Sequence, residues 1–193
     1  MKIIVVVGSG SGCGKTTVVG RILRDIPGLG AVKLSPREGE TRVEWGPGSS
    51  GKDTDVFTRS GAAPVARIVG PRETLLETWA GIKGQFEGCR AVVIEGARAI
   101  DFPDEKFVLF VVGKRDQERR LERERSLIGS SNLVVEVISH GTGPKPLDLQ
   151  ILSHSSSTWA NARSVDSNSR ITPGLDPVEA VRSFIEAQVV GRS

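Results

Sequence analysis

Three scarcities in this sequence exclude whole classes of protein. Only two cysteines occur in 193 residues, and one of them lies inside a glycine-rich segment. A disulfide framework is therefore excluded, and a reducing compartment, the cytoplasm, is expected. The longest apolar run, from Phe107 to Val112, is far too short to span a membrane. The net charge of +3 is too small to indicate nucleic-acid binding by itself, although it is compatible with an anionic small-molecule ligand.

The sequence also lacks internal repeats and a convincing inter-domain linker, so we predict a single domain over residues 1–193. A chain of this length can bury most of its apolar surface without disulfides or structural metals. Residues 1–7 superficially resemble a signal peptide, but the apolar stretch is short and runs directly into the glycine-rich segment. We therefore interpret this stretch as the first strand of the domain.

The first seventeen residues organise the chain: an apolar β-branched run, Ile3 to Val7, leads into a glycine-rich segment that ends in Gly-Lys-Thr and opens a helix. This is the layout of a P-loop, in which backbone N–H groups and a helix N-terminus bind phosphate. Lys15 can reach the β- and γ-phosphates, and the Thr16 hydroxyl can coordinate Mg²⁺. The residues predicted to bind the nucleotide are Gly10, Ser11, Gly12, Cys13, Gly14, Lys15, Thr16 and Thr17.

The first position of this loop departs from the P-loop pattern. Counting back from Gly14, the pattern G-x-x-x-x-G-K-[ST] places its first glycine at Ser9, one residue after Gly8. The loop is therefore either one residue longer than the pattern or begins with serine. Cys13 also has two interpretations: a redox-sensitive thiol at a helix N-terminus, or a small residue that fits the turn.

Strand-like and helix-like segments alternate along the chain, and most of the strands are uniformly apolar. This alternation predicts a three-layer α/β fold of the P-loop NTPase type, with a mostly parallel sheet and helices on both faces. In such a sheet the ligand lies beyond the carboxyl ends of the strands. The predicted helices are 16–24, 53–60, one that starts at 70–71 with Leu75, Leu76, Trp79 and Ile82 on one face, 116–127 and 176–189. The predicted strands after the first are 31–34, 64–69, 91–94, 106–112 and 133–138, and residues 36–52 and 140–176 are interpreted as irregular.

Two acidic residues stand at the ends of predicted elements. Glu95 follows the apolar strand 91–94, where a carboxylate can hold Mg²⁺ through water or orient an attacking water. The alternative is a strand-end glutamate that faces solvent. Asp53 starts a helix after the 36–52 segment, and on composition alone either Asp53 or Thr54 is simply the N-cap of that helix.

Further along the chain the functional signals are weaker. Gly113-Lys114-Arg115-Asp116 differs by one residue from the Asn-Lys-x-Asp element with which Ras-like proteins read guanine, but Asp116 is equally suited to cap the following helix. Arginines on that helix alternate with glutamates, which favours a solvated surface over a phosphate-binding one. His140 and His154 have neither metal-ligand spacing nor a nucleophile partner, so we interpret them as surface residues.

Several segments within residues 1–112 resemble the molybdopterin-guanine dinucleotide biosynthesis protein B (MobB) family in order and approximate spacing. The middle segment is the most specific, because P-loops are shared very widely. Three departures are clear: Leu34-Ser35-Pro36-Arg37 stands where the family has histidines, the loop carries an extra residue before Gly14, and residues 113–176 do not align with the family. The matching segments are Ser11-Gly12-Cys13-Gly14-Lys15-Thr16-Thr17, Ala31-Val32-Lys33, Gly51-Lys52-Asp53-Thr54 with Arg59-Ser60-Gly61-Ala62-Ala63, and Val93-Ile94-Glu95-Gly96.

The resemblance implies a GTP-binding protein with slow hydrolysis, which forms a homodimer and assists a partner enzyme that attaches a guanine nucleotide to molybdopterin. It also implies a Mg²⁺ site formed by Asp53 and Glu95 beside Thr16, with Lys15, Asp53 and Glu95 as the catalytic residues. The implied ligands are a nucleoside triphosphate, GTP or else ATP, and Mg²⁺. Neither a membrane nor nucleic acid is expected as a partner.

Two other functions stay open at this point. Val93-Ile94-Glu95-Gly96-Ala97 is also similar to the Val-Glu-Gly-Ala stretch of dethiobiotin synthetase, and Lys33 falls near that family's lysine after the second strand. This similarity implies an ATP-dependent small-molecule kinase or ligase, with an acceptor pocket formed by residues 36–52 or 140–176. The third possibility is a nucleotide-switched adapter without significant turnover, which the lack of an obvious general base for an acceptor hydroxyl favours.

Overall fold

The computed structural model describes residues 1–50, 52–112, 125–138, 148–154 and 176–187, in which helices and strands alternate. In chain order the elements are β1 (Lys2–Gly8), α1 (Lys15–Asp25), β2 (Leu29–Pro36), β3 (Arg42–Trp45), α2 (Asp53–Arg59), β4 (Val65–Gly70), α3 (Leu75–Ile82), a 3₁₀ helix (Lys83–Phe86), β5 (Ala91–Glu95), a second 3₁₀ helix (Ala97–Asp101), β6 (Glu105–Val112), α4 (Arg125–Gly129), β7 (Leu133–Ile138), β8 (Asp148–His154) and α5 (Pro177–Glu186).

Within the described residues, eight strands form one sheet in the order β3-β4-β2-β5-β1-β6-β7-β8. The six strands from β4 to β7 are parallel to one another, and β3 and β8 pair antiparallel to them at the two edges. The predicted α/β architecture with a mostly parallel sheet is confirmed. Because β1 lies beside β5, the residues that follow these two strands emerge next to each other at the carboxyl edge of the sheet.

Alternate residues of the central strands pack into two apolar layers, one on each face of the sheet. Ile4 and Val6 lie in the layer covered by α1, α2 and α5, whereas Ile3, Val5 and Val7 lie in the layer covered by α3 and α4. All five side chains are buried, which explains why β1 is a continuous apolar run in the sequence. Helices therefore cover both faces of the sheet.

Most predicted elements lie close to their predicted positions. The end of α1 and the start of α5 are set by the residues from which they were predicted. Helix α1 ends directly before Pro27 and Gly28. At the start of α5 the Asp176 carboxylate accepts a hydrogen bond of 2.9 Å from the N–H of Val178, with Pro177 at the first helical position. Helix α5 ends at residue 186, before its predicted end at 189, which lies outside the described residues.

The 36–52 segment was wrongly predicted to be entirely irregular, because it contains the edge strand β3. Val43 packs against the apolar layer on the α3 face and is the strand partner of Ile68 in β4. With only one inward apolar residue among polar neighbours, β3 has too weak an alternation to be recognised from sequence. The 140–176 segment likewise contains β8, which pairs with β7 and ends at His154.

The helix predicted to start at Pro71 begins four residues later. Residues 71–74 form a turn in which the Thr74 N–H donates to the Pro71 carbonyl oxygen at 3.2 Å. Leu75 and Trp79 are buried, but Leu76 is 42% exposed, so its predicted place on the buried face was wrong. A helix buried on the Leu75–Trp79 face turns the next residue about 100° away from the core.

Several predicted features lie in residues that the structure does not describe. The predicted helix 116–127 is described only from residue 125 onwards, as α4. The guanine-reading candidate 113–116 and His140 lie outside the described residues. In the described ranges, none of the helices has the length and apolarity needed to cross a membrane.

Candidate functional site

The glycine-rich loop, defined here as residues 9–14, connects the end of β1 to the start of α1. Gly8 is the last residue of β1, and a Cβ at this position would lie 2.6 Å from Cys13 Sγ and 2.7 Å from the Val111 carbonyl oxygen. Position 8 therefore requires glycine, and the N–H of the next residue, Ser9, donates to the same carbonyl at 3.1 Å. Both alternatives for the irregular first position of the loop stay open. Cys13 is buried against Gly8, as expected for a small residue that fits the turn.

Inside the loop, Gly10, Gly12 and Gly14 adopt positive φ angles of 151°, 77° and 100°. Residues with a Cβ rarely adopt such angles, so the path of the loop depends on glycine. Gly14 is the N-cap of α1, and within the described residues no side chain caps this helix and its first turn has no acidic residue. The first N–H groups of α1 are therefore available to an anion.

Lys15, the first residue of α1, folds back over the loop. Its Nζ lies 2.5 Å from the Gly10 carbonyl oxygen and 3.6 Å from Cys13 Sγ. A cation at this position is unfavourable next to the positive end of the α1 dipole. A bound anion would compensate both positive charges at once. Of the other predicted nucleotide-binding residues, Ser11 and Thr17 are exposed.

Thr16 brings the two predicted acidic residues together. Its Oγ1 lies 2.9 Å from Asp53 Oδ1 and 3.0 Å from Glu95 Oε2. A hydroxyl has one proton and can donate to only one carboxylate at a time. These three oxygens are called the oxygen cluster below. The one hydroxyl proton can serve only one of the two carboxylate oxygens that lie close to it. A cation placed among them would remove this mismatch.

Lys33 of β2 binds the remaining oxygens of the same two carboxylates. Its Nζ contacts Glu95 Oε1 and lies 2.8 Å from Asp53 Oδ2. The sheet fixes this contact, because Lys33 and Glu95 are register partners in the β2–β5 pair. Sequence reasoning had noted Lys33 only through the family resemblances and missed it as a site residue. The available signal was a lysine inside the otherwise apolar strand 31–34.

The electrostatics of the three charged groups favour binding of a further cation. Burial lowers the pKa of Lys33, but the charges of Glu95 and Asp53 outweigh burial, and the net pKa is raised. Burial raises the pKa of Asp53, but its hydrogen bond and charge interaction with Lys33 outweigh this, and the net pKa is lowered. The formal charges of the two carboxylates and the one ammonium sum to −1, so the cluster attracts positive charge.

Both structural alternatives for the acidic residues were wrong. Glu95 does not face solvent, since only 2% of its side chain is exposed. Asp53 does not cap α2: it is the first helical residue, and the N-cap is Lys52, which makes no side-chain cap. Thr54 is also not a cap, because its hydroxyl accepts from the Gly48 N–H at 2.9 Å. The positions of both carboxylates are therefore better explained by a site.

The oxygen cluster suits a metal ion that arrives with a ligand. In the part of the chain that the structure describes, no group of three or more His, Cys, Asp or Glu side chains is placed to hold a metal. The cluster provides two carboxylates and a hydroxyl, and Mg²⁺ is commonly bound by one or two carboxylates together with substrate phosphates and water. The residues present therefore fit Mg²⁺ bound together with a phosphate-containing ligand.

A cavity of about 560 Å³ adjoins the oxygen cluster, and Lys33 and Asp53 belong to both. Half of its other lining residues are basic, and they come from β2, the β2–β3 connection, β3, β4, the segment before α2 and the first turn of α2. It lies where the sequence analysis placed an acceptor pocket for an ATP-dependent enzyme, next to residues 36–52.

No protein-family model matches this chain, and no curated protein or solved structure is significantly similar to it. The geometry described above and the sequence motifs are therefore the basis for a functional proposal.

Proposed function

We propose that this chain is a Mg²⁺-dependent P-loop protein that binds a nucleoside triphosphate, GTP in preference to ATP, and hydrolyses it slowly. The observation that carries the proposal is the oxygen cluster, in which the Thr16 hydroxyl faces Asp53 and Glu95 at the start of α1. In P-loop proteins a Ser or Thr hydroxyl after the lysine and an acidic residue at the end of a neighbouring strand hold the Mg²⁺.

The residues of the glycine-rich loop have matching roles in this proposal. The phosphates lie against the N–H groups at the start of α1, and Lys15 exchanges its contact with the Gly10 carbonyl for phosphate oxygens. Thr16, Asp53 and Glu95 hold the Mg²⁺, which when bound neutralises charge on the phosphates. Lys33 keeps the two carboxylates in position, and Glu95 or Asp53 orients the attacking water through its free oxygen lone pairs.

The preference for GTP and a role like that of the MobB family come from the sequence resemblance. Three of the matching segments meet at one place, which bears on the proposed Mg²⁺ site and not on the choice of nucleotide. Asp53 and Glu95 are 37 and 79 residues from Thr16 in sequence, yet both contact its hydroxyl. The homodimer and a partner enzyme of the molybdopterin pathway belong to the same proposal.

A second candidate is an ATP-dependent small-molecule kinase or ligase. The observation that favours it is the basic cavity, which shares Lys33 and Asp53 with the oxygen cluster. An acceptor molecule in this cavity would lie next to the phosphates of the nucleotide.

The proposal is tested by titrating the full-length protein with fluorescent GTP and ATP analogues, with Mg²⁺ and with EDTA. We expect Mg²⁺-dependent binding that is tighter for GTP, and a loss of at least about tenfold in Lys15→Ala, because that variant removes a charge-assisted hydrogen bond to phosphate. Arg90→Gln is the matched control. Arg90 precedes β5 at the opposite edge of the sheet and its side chain is 42% exposed, so the same loss of one charge there should not change binding.

The outcomes separate the candidate functions. Equal or reversed affinities for GTP and ATP would contradict the guanine preference, and binding that ignores both Mg²⁺ and Lys15 would contradict the nucleotide site. Hydrolysis that is strongly stimulated by a small metabolite would favour the kinase or ligase. Binding without measurable hydrolysis would favour the nucleotide-switched adapter.

A further inference from the structure

A row of charged residues crosses the sheet beside the oxygen cluster. Ala31 and Val65 belong to the apolar layer covered by α1 and α2, and the residues two positions later on the same strands point to that same face. Helix α2 covers the apolar part of this face with Phe57 and begins where the charged row lies. The register partners that form the row across β5, β2, β4 and β3 are Glu95, Lys33, Arg67 and Glu44.

The cavity of about 560 Å³ lies over this row and has a surplus of positive charge. Besides Lys33, Arg67 and Glu44 of the row, its lining includes residues from the β2–β3 connection and from the segment before α2. Five basic and two acidic side chains line it, so their formal charges sum to +3. They are Lys33, Arg37, Arg42, Lys52 and Arg67, against Glu44 and Asp53.

Ion pairs within the cavity lining engage both acidic residues, and some of the basic residues remain without a partner. Glu44 lies 2.9 Å from Arg42 Nε and 3.4 Å from an Arg67 guanidinium nitrogen, and Asp53 pairs with Lys33. By contrast, the side chains of Arg37 and Lys52 have no hydrogen-bond or ion-pair partner among the described residues. Two unpaired cations therefore remain beside a cavity whose acidic groups are already engaged.

The backbone that carries Arg37 is held in place. The Arg37 N–H donates to the Gly70 carbonyl oxygen at 2.8 Å, and the Thr41 and Thr74 hydroxyls are 2.7 Å apart. Thr41 packs so closely on Gly70 that a Cβ there would lie 2.5 Å from Thr41 Oγ1. The β2–β3 connection is thus fixed against β4, and Arg37 is presented to the cavity without a costly ordering step of the backbone.

We propose that this cavity binds a second ligand, a small molecule with a phosphate group, beside the nucleotide. Guanidinium groups bind phosphate through paired hydrogen bonds. A phosphate monoester carries a charge of roughly −1.5 to −2 at neutral pH, which matches the surplus of +3 better than a single carboxylate does. The volume is within the usual range for small-molecule sites. That the neighbouring ligand is a nucleotide rests on the proposed function, whereas the cavity and its charge do not.

Asp53 separates the two sites, which argues against one ligand that occupies both. One of its carboxylate oxygens faces Thr16 in the oxygen cluster, and the other faces Lys33 in the cavity wall. The cavity is lined by Lys33 and Asp53 but by no residue of the glycine-rich loop. The Asp53 carboxylate would therefore lie between the two anionic ligands, with Lys33 beside it.

The test is isothermal titration calorimetry on the full-length protein after its nucleotide site has been saturated with GDP and Mg²⁺. The probes are three phosphomonoesters of different shape: ribose 5-phosphate, glycerol 3-phosphate and phenyl phosphate, with ribose as the uncharged control. We expect at least one phosphomonoester to bind and ribose not to bind. Arg37→Gln and Lys52→Gln should each weaken that binding about tenfold, because each removes a charge-assisted hydrogen bond. Arg90→Gln should leave it unchanged.

Both test variants alter exposed side chains without partners among the described residues, so their melting temperatures should equal that of the wild type. Failure of all three phosphomonoesters to bind would overturn the second site, and so would binding in both variants that is as tight as in the wild type. Weakened GDP binding in Arg37→Gln would overturn it too, because the cavity would then belong to the nucleotide. If nucleotides fail to bind but a phosphomonoester binds with dependence on Arg37 and not on Lys15, the proposed function falls and the cavity site stands.

Discussion

One carboxylate is buried at the carboxyl edge of the central sheet, where the parallel strands end, and another at the amino edge, where they begin. The groups that surround these two carboxylates differ. Glu95 ends β5 at the carboxyl edge, whereas Asp104 precedes β6 at the amino edge; their side chains are 2% and 3% exposed. Asp104 accepts a 2.8 Å hydrogen bond from the Trp79 indole N–H and lies 3.5 Å from Lys83 Nζ and 4.0 Å from the amino terminus. Each of these partners of Asp104 is a hydrogen-bond donor.

At the carboxyl edge, in contrast, the negative charge exceeds the positive charge that contacts it. Glu95 and Asp53 share one ammonium group, from Lys33, and one hydroxyl, from Thr16. For the groups in direct contact, formal charges sum to −1 here, with Lys15 acting on Asp53 only at longer range, but they sum to +1 for Asp104 with Lys83 and the amino terminus. The comparison teaches that burial of a charge does not by itself indicate a site, because the fold can satisfy a buried carboxylate completely. A buried carboxylate whose surroundings lack positive charge is the stronger indication.

Removal of Lys33 tests this lack of positive charge and has the largest expected effect. In Lys33→Met, Glu95 and Asp53 lose their shared cation, so we expect the free energy of unfolding to fall by about 3 kcal/mol, as when one partner of a buried ion pair is removed. Urea denaturation followed by circular dichroism measures this loss. The double variant Lys33→Met with Glu95→Gln should be less destabilised than the single one, because the uncompensated buried charge is gone. A loss that is equally large in both variants would mean that Lys33 acts through packing alone.

A matched pair of amide substitutions tests the two edges against each other. Glu95→Gln should weaken Mg²⁺-dependent nucleotide binding roughly tenfold to a hundredfold, because an outer or inner metal ligand loses its charge. Asp104→Asn makes the same chemical change at the other edge and should leave nucleotide binding unchanged. The measurement is a nucleotide titration at several Mg²⁺ concentrations. Similar effects of the two substitutions would contradict the distinction between a site and a structural ion pair.

The sequence was sufficient to predict the features that depend on local pattern. The buried strand at 91–94 could be recognised from its continuous apolar run, and the glycine-rich loop from its glycines and Lys15. The α5 start could be predicted because the cap at Asp176 uses neighbouring residues only. These features need no knowledge of which strands are neighbours.

Features that depend on strand order and register could not be predicted. Lys33 meets Glu95 only because β2 pairs with β5 in one particular register, and Arg67 joins the same row only because β4 lies on the other side of β2. Nothing in the local sequence of the 36–52 segment indicates that Arg42 and Glu44 belong to a strand beside this row. The basic cavity is therefore a consequence of topology, and the sequence contains only its separate parts.

The structural role of Asp104 predicts a stability effect without a functional one. Asp104→Ala would leave the Trp79 indole N–H buried without its acceptor, which should lower the free energy of unfolding by about 1–2 kcal/mol. Asp104→Asn retains an acceptor oxygen and should lose less. Thermal and urea denaturation compare the two variants. If both variants were as stable as the wild type, the buried hydrogen bond from Trp79 would contribute nothing measurable.

The smallest expected effect concerns the pH dependence of stability. The pKa of Asp53 is held below its usual value because Lys33 outweighs the effect of burial. A carboxyl group whose pKa is lower in the folded state contributes stability above its unfolded pKa and loses that contribution as the pH falls through the folded pKa. As the pH falls below about 4, the ordinary pKa of an aspartate, the wild type should therefore lose stability more steeply than Asp53→Asn. The difference is expected to be small because 39% of the Asp53 side chain is exposed. Urea denaturation across this range measures it, and parallel curves for the two proteins would show that the contact between Lys33 and Asp53 does not hold the carboxylate in its charged form.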